Sequence, residues 1–219
     1  VDIHGNKLYC ASAWGGVNVI DISDPFNTSR METIKIDGWA MNLSVCDDEL
    51  FVVQGANGVA VYDLSVQQDE PKQAYQTVSF VISGEYDGET AFLFDKQRGV
   101  LAVDFSGEKE PSLLGSWLPL LDGRRVLWVN QAAYVAGGLS GMHVYDLSSP
   151  GNPLETFWWD SAGGYARSFA FGDDNMLYLG NHMAGQRPLL GFSISDPLNP
   201  KYVSDLPDKG GGEYESILF

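Results

Sequence analysis

Four aspartates, Asp21, Asp63, Asp104 and Asp146, stand at one place in a recurring motif, spaced 42, 41 and 42 residues apart. A fifth copy, 47 residues further on, carries Ser193 there. Carboxylates held in register could serve as cation ligands. Alternatively, each accepts hydrogen bonds from amides of the turn just beyond its own strand, as Asp commonly does. The run Asp-x-Ser at Asp21, Asp63, Asp104 and Asp146 suits the second reading. Copies at the same place in successive repeats also stand too far apart to share one ion, so no metal site is expected. The histidines His4, His143 and His182 occupy different places in the repeat, and none has a Cys, His or acid at metal-ligand spacing. The nucleophile-elbow, zincin, phosphate-loop, haem-attachment and dinucleotide motifs are absent. No catalytic residue and no cofactor is expected.

The elements that carry these residues are short strands. A second periodic column, Tyr9, Phe51, Phe92 and Tyr134, lies 12 residues before each Asp, and Tyr178 lies 15 before Ser193. Two columns in step at a period near 42 define a repeat array. In the second repeat, Asn42 to Val45 alternates, Asp47-Asp48 turns, and Leu50 to Gln54 is largely apolar. Gly55 to Gly58 then turns again, Val59 to Leu64 alternates, and Gln73 to Val78 alternates after a polar turn. Asn and Asp-Gly turns accept the positive φ of tight hairpins. Prolines after the third strand, such as Pro25, Pro71, Pro150 and Pro197, remove ladder donors and end it. No stretch keeps a helical period. The expected fold is all-β: a β-propeller of four-stranded antiparallel blades.

The run Tyr134 to Pro153, Tyr-Val-Ala-Gly-Gly-Leu-Ser-Gly-Met-His-Val-Tyr-Asp-Leu-Ser-Ser-Pro-Gly-Asn-Pro, resembles the LVIVD repeat of bacterial and archaeal β-propellers. Residues 9 to 25 resemble it too, through Gly15-Gly16-Val17, Val19 to Ser23 and Asp24-Pro25. The resemblance is clear in repeats 1, 2 and 4 and looser in 3 and 5. It implies a propeller from a secreted or cell-surface protein, with an extracellular, cell-surface or periplasmic location. It implies no reaction, because the motif residues of that family build the blade.

The whole chain, 1–219, reads as one propeller domain with repeats at about 1–38, 39–79, 80–121, 122–163 and 164–212. Residues 213–219 resemble the opening of the fifth repeat, and Val1 to Ile3 resembles the end of an inner strand. Pairing of the two terminal segments would close a ring of five blades and bury its sheet edges. The alternative is an excerpt of a larger ring. Val1 runs directly into Asp2 and strand-like sequence, as in a trimmed product or a fragment.

Two places are candidate sites. The segments that enter the inner strands should line one mouth of a central channel: Trp39, Asn42, Glu85, Arg125, Tyr165, Arg167, Tyr214 and Glu215. Aromatic rings can stack on the apolar face of a sugar, and charged groups can bind its hydroxyls. The competing reading makes the aromatics blade packing. The fifth repeat departs from the others in a longer turn, Gly180 to Pro188, which should present Asn181, His182 and Arg187 on an exposed loop.

The chain has 219 residues, 44% of them hydrophobic, with 13 Lys+Arg against 29 Asp+Glu and a net charge of -16. That balance lacks the cationic footprint of a nucleic-acid binder and disfavours an anionic membrane surface. No apolar run reaches the ~18 residues of a membrane helix, so no membrane insertion is expected. Cys10 and Cys46 permit at most one disulfide, and two buried free thiols are the default. A monomeric, non-catalytic extracellular or cell-surface module binding a protein or glycan is the expected function. The alternative is a carbohydrate-active hydrolase using the mouth carboxylates Glu85 and Glu215, with Arg167 placing the substrate.

Overall fold

The computed structural model describes residues 1–66, 70–107, 109–117, 125–160, 164–173, 175–182 and 189–206. Blade 1 is β1 (Asp2–His4), β2 (Lys7–Ala11), β3 (Val17–Asp21) and β4 (Ser29–Ile34). Blade 2 is β5 (Asn42–Cys46), β6 (Glu49–Val53), β7 (Val59–Asp63) and β8 (Gln73–Tyr75). Blade 3 is β9 (Val81–Tyr86), β10 (Thr90–Asp95), β11 (Gly99–Asp104) and β12 (Ser112–Trp117). Blade 4 is β13 (Arg125–Val129), β14 (Ala132–Ala136), β15 (Met142–Asp146) and β16 (Leu154–Trp159). Blade 5 is β17 (Tyr165–Gly172), β18 (Met176–His182), β19 (Leu189–Ser193) and β20 (Lys201–Leu206).

Each sheet is an antiparallel meander in chain order, and the five sheets are propeller blades. There is no α-helix among the described residues. The chain divides into two compact units, Val1–Ser116 with blades 1 to 3 and Trp117–Phe219 with blades 4 and 5. The terminal segment 213–219, expected to close a ring, lies outside the described residues.

Turn chemistry explains the hairpins. The turn between the first two strands of every blade carries a left-handed residue: Gly5, Asp47, Gly88, Asn130 and Asn175. Gly, Asn and Asp adopt that conformation at least cost, which is why the five turns draw on them.

The core lies between blades, because alternate residues of a strand face opposite neighbours. Leu50 and Val52 of β6 meet Tyr9, Val17 and Val19 of blade 1. Phe51 and Val53 of the same strand meet Val81, Tyr86 and Leu93 of blade 3. In the second unit, Tyr134, Met142 and Val144 of blade 4 meet Phe169, Leu179 and Phe192 of blade 5. Each such apolar side chain contributes about 1.5–3 kcal/mol when fully buried. The aromatic column of the sequence is therefore a core column: Tyr9, Phe51, Phe92 and Tyr134 are buried, and Tyr178 is half-buried.

Polar stitches also join the blades of the first unit. Asp2 Oδ2 accepts from the Val45 amide at 2.7 Å. The Tyr86 hydroxyl shares its proton between Glu49 Oε2 at 2.7 Å and the Gly88 carbonyl at 2.8 Å. Lys72 pairs with the same Glu49. Burial first, and then the Glu49 hydrogen bond and charge, hold the Tyr86 phenol well above its ordinary pKa. Cys10 and Cys46 are free thiols, half-buried where the sequence reading expects full burial.

Candidate functional site

The turn between the second and third strands is built alike in both units. In blade 1 the Ser12 amide donates to the Gly16 carbonyl at 2.9 Å and the Gly15 amide to Ser12 at 2.8 Å. In blade 4 the Gly137 amide donates to Gly141 at 2.8 Å and the Ser140 amide to Gly137 at 3.1 Å. Positions two and five of this five-residue turn are left-handed: Ala13 and Gly16 in blade 1, Gly138 and Gly141 in blade 4. The geometry pushes the third residue outward. Trp14 is 77% exposed there, and its counterpart Leu139 is 58% exposed.

A main-chain bridge then brings the next blade beneath each turn. Ala13 pairs antiparallel with Ala40, and Gly138 pairs with Ala166. An antiparallel bridge sets the flanking residues opposite one another, Trp14 with Trp39 and Leu139 with Tyr165. The Trp14 and Trp39 rings lie 5.6 Å apart at 37°. Trp39 is 41% exposed, so the pair forms an open aromatic ledge on the first unit. Beside it, the segment Lys35 to Gly38 crosses the turn of blade 2. A Cβ on Gly38 would sit 3.0 Å from the Gln54 carbonyl and 3.1 Å from Asn57 Nδ2. An open groove of about 510 Å³, lined by Lys35, Asp37, Gln54, Asn57, Glu70 and Gln76, runs along that segment. Rings and hydrogen-bonding groups thus adjoin on one surface.

The other residues singled out from the sequence separate on inspection. Asn42 Oδ1 accepts from the Gly84 amide of blade 3 at 3.4 Å, a joint between blades. Glu85 stands opposite Phe92 on β10, whereas Asn42 stands opposite Val53, two residues beyond the matching Phe51. The residue of blade 3 in line with Asn42 is therefore Ser83, opposite Phe94, and Glu85 lies two residues deeper along its strand. Here the register corrects the sequence reading, which shifts the start of β9. Arg125 opens β13 opposite Ala136, in line with Asn42, and is half-buried. Tyr165 opens β17, and Arg167 sits at a register shift between Ala166 and Ser168.

Asn181 is a second correction. It belongs to β18, opposite Ala166, and is nine-tenths buried rather than displayed on a loop. Its side chain fills the place a Gly164 Cβ would take, 2.2 Å from Asn181 Nδ2. β17 is eight residues long, and pairing with it draws Asn181 and the His182 backbone into the sheet. Arg187, Tyr214 and Glu215 lie outside the described residues.

The aspartate column is a set of turn locks. Asp21, Asp63, Asp104 and Asp146 each accept through Oδ1 from the amide two residues on, Ser23, Ser65, Ser106 and Ser148, at 2.8 Å. No cluster of three or more potential metal ligands occurs among the described residues.

The sequence reading names Trp39 but not Trp14, the ring beside it. The visible signal was its place between two left-handed positions of a repeated turn. It also missed a contact set in blade 4. His143 Nε2 lies 2.9 Å from Ser140 Oγ, and His143 Nδ1 lies 2.7 Å from Glu155 Oε1.

Comparison with known proteins agrees with this architecture. The family model for the LVIVD repeat matches residues 1–34, the whole of blade 1, so the chain carries that repeat there. No curated protein matches the chain. Among solved structures it is similar to the computationally designed Ika8 protein, at 12% identity and a TM-score of 0.74 over 99% of this chain and 63% of that one. It is equally similar to a chain of the mitotic checkpoint complex, at 14% identity and a TM-score of 0.74 over 97% and 64%. The N-terminal domain of Nup159 follows at 12% identity and a TM-score of 0.55 over 76% and 44%. The chain spans less than two thirds of the length of each of these structures. Identities this low speak to fold alone.

Proposed function

We propose that the chain is an interaction module of an extracellular or cell-surface protein, and that its ligand is a glycan. The observation that carries this reading is the ledge of Trp14 and Trp39, exposed at 77% and 41% beside a groove of mixed polar and apolar lining. Large rings left in water mark binding surfaces when polar groups rim them. Indole faces suit the C–H faces of sugars, while Asp37 and Asn57 offer acceptors and donors for hydroxyls. The net charge of -16 argues against nucleic acid. The extracellular setting is supported by the LVIVD repeat over residues 1–34.

The test is titration calorimetry on the glycans selected by an array screen of the purified protein. Trp14→Ala and Trp39→Ala should each weaken binding about tenfold, the ~1.4 kcal/mol expected for loss of one stacking ring. An array without hits, or two variants that bind as tightly as the parent, would sink the proposal.

A further inference from the structure

Blade 4 holds a constellation that the binding reading does not use. His143, the second residue of β15, is buried, and its ring runs near-parallel to those of Tyr145 and Trp158, with centroids 6.4 Å away from each at 19° and 29°. Glu155 on β16 takes Nδ1 at 2.7 Å, and an ionised carboxylate can only accept, so the proton sits on Nδ1. Nε2 is left with its lone pair toward Ser140 Oγ at 2.9 Å. Ser140 is the fourth residue of the five-residue turn, half-buried and open to solvent beside exposed Leu139 and Trp158. Its backbone is pinned at both ends: its amide donates to the Gly137 carbonyl at 3.1 Å, and its carbonyl accepts from Trp158 Nε1 at 2.7 Å.

We infer that Ser140, His143 and Glu155 form a nucleophile, base and orienting acid, and that Ser140 is acylated by activated carboxylic esters with small apolar acyl groups. Hydroxyl to imidazole to carboxylate, each step within hydrogen-bond reach, is the arrangement that activates a serine. Ser140 Oγ attacks the ester carbonyl while its proton passes to His143 Nε2. The new Oγ–C bond forms, the bond from carbon to the leaving oxygen breaks, and that oxygen departs with the proton from Nε2. Water then attacks the acyl-serine by the same route, releasing the acid and restoring the hydroxyl.

Two features restrict the chemistry. Ser140 Oγ also lies 2.8 Å from the Gly137 carbonyl, which competes with Nε2 for the one hydroxyl proton. The amides of Gly138, Ser140 and Gly141 are spent on hydrogen bonds within the turn and to Ala166. The developing oxyanion is left to water, so only substrates with good leaving groups react at a useful rate. Leu139 and Trp158, both 58% exposed, provide the apolar surface for the acyl chain.

A fluorophosphonate probe tests this on the intact protein: Oγ–P forms, P–F breaks and fluoride leaves, and peptide mass spectrometry locates the adduct. Ser140 should be labelled, and Ser140→Ala should remove that adduct. His143→Asn should slow labelling at least a hundredfold, the usual worth of a positioned base. That variant places in blade 4 the residue type blade 1 carries at the matching site, so a cooperative thermal transition is expected from it. Glu155→Gln should slow labelling at least tenfold. An unlabelled Ser140 in the parent protein, or a His143→Asn rate equal to the parent's, overturns the inference.

Discussion

Blades 1 and 4 share one turn and differ in what the adjoining strand does with it. Asn18 in β3 and His143 in β15 stand three residues before Asp21 and Asp146 respectively. Asn18 Nδ2 donates to Ser12 Oγ at 2.6 Å, and Asn18 Oδ1 accepts from Thr33 Oγ1 at 2.9 Å. His143 meets Ser140 and Glu155 instead. Both side chains tie a turn serine to the outer strand. The amide does so with neutral groups of fixed protonation, whereas the imidazole can take up and return a proton. One scaffold thus provides a clasp in one blade and a polarised chain in another, because the position of the turn serine, the strand residue and the outer-strand partner all differ between them.

The largest effect is expected at the turn the two blades share. Gly16 has φ 76°, and a Cβ there would come within 2.4 Å of the Ile34 carbonyl. Gly16→Ala should therefore cost about 2–3 kcal/mol in urea unfolding. A cost below about 0.5 kcal/mol would show that the turn is not held by its backbone geometry.

A gentler change sharpens the likeness. Ala13 adopts φ 50° where blade 4 has Gly138 at 61°. Ala13→Gly relieves that strain but adds freedom to the unfolded chain, and should raise stability by no more than about 1 kcal/mol. Destabilisation would mean that the Ala13 methyl makes contacts worth more than its strain.

The smallest effect is expected at the exits shared by the blades. Hydrogen bonds from Ser23, Ser65 and Ser106 hold the carboxyls of Asp21, Asp63 and Asp104 below the ordinary 3.8. A depressed folded pKa means the unfolded chain binds more protons, so stability rises with pH. The contribution is present above pH 3.8 and fades as pH falls through the folded values. Replacing Asp21, Asp63 and Asp104 by asparagine, which keeps an acceptor but cannot ionise, should flatten the urea midpoint against pH below 3.8. An unchanged slope would remove these locks from the account of acid stability.

The fold was legible because its signals are local. A tight turn needs a left-handed residue, and Gly5, Asp47, Gly88 and Asn130 announce it at the same place in four repeats, with Asn175 one residue further on in the fifth. The Asp-x-Ser exits were legible for the same reason. What failed depended on register. The sequence reading sets Glu85 level with Asn42, but that level is fixed by which residue of β9 faces Phe94 across the ladder, and it is Ser83. Asn181 was read as loop because the length of β18 is set by its partner β17. Ser140, His143 and Glu155 were invisible as a group. Three residues across a turn and twelve across a hairpin become neighbours only when β15 pairs with β16, itself through a shift after Val144.

The joint between neighbouring blades has an evolutionary side. The Ala13–Ala40 and Gly138–Ala166 bridges are made of main-chain atoms, with N···O distances of 2.9–3.1 Å. Such a joint asks of the turn residue only that it tolerate a left-handed backbone, so substitutions can be accommodated around it without altering how one repeat docks on the next. A gene segment encoding one blade can therefore be copied and still fit its neighbour. Its surface residues can then diverge independently, as Trp14 and Leu139 have.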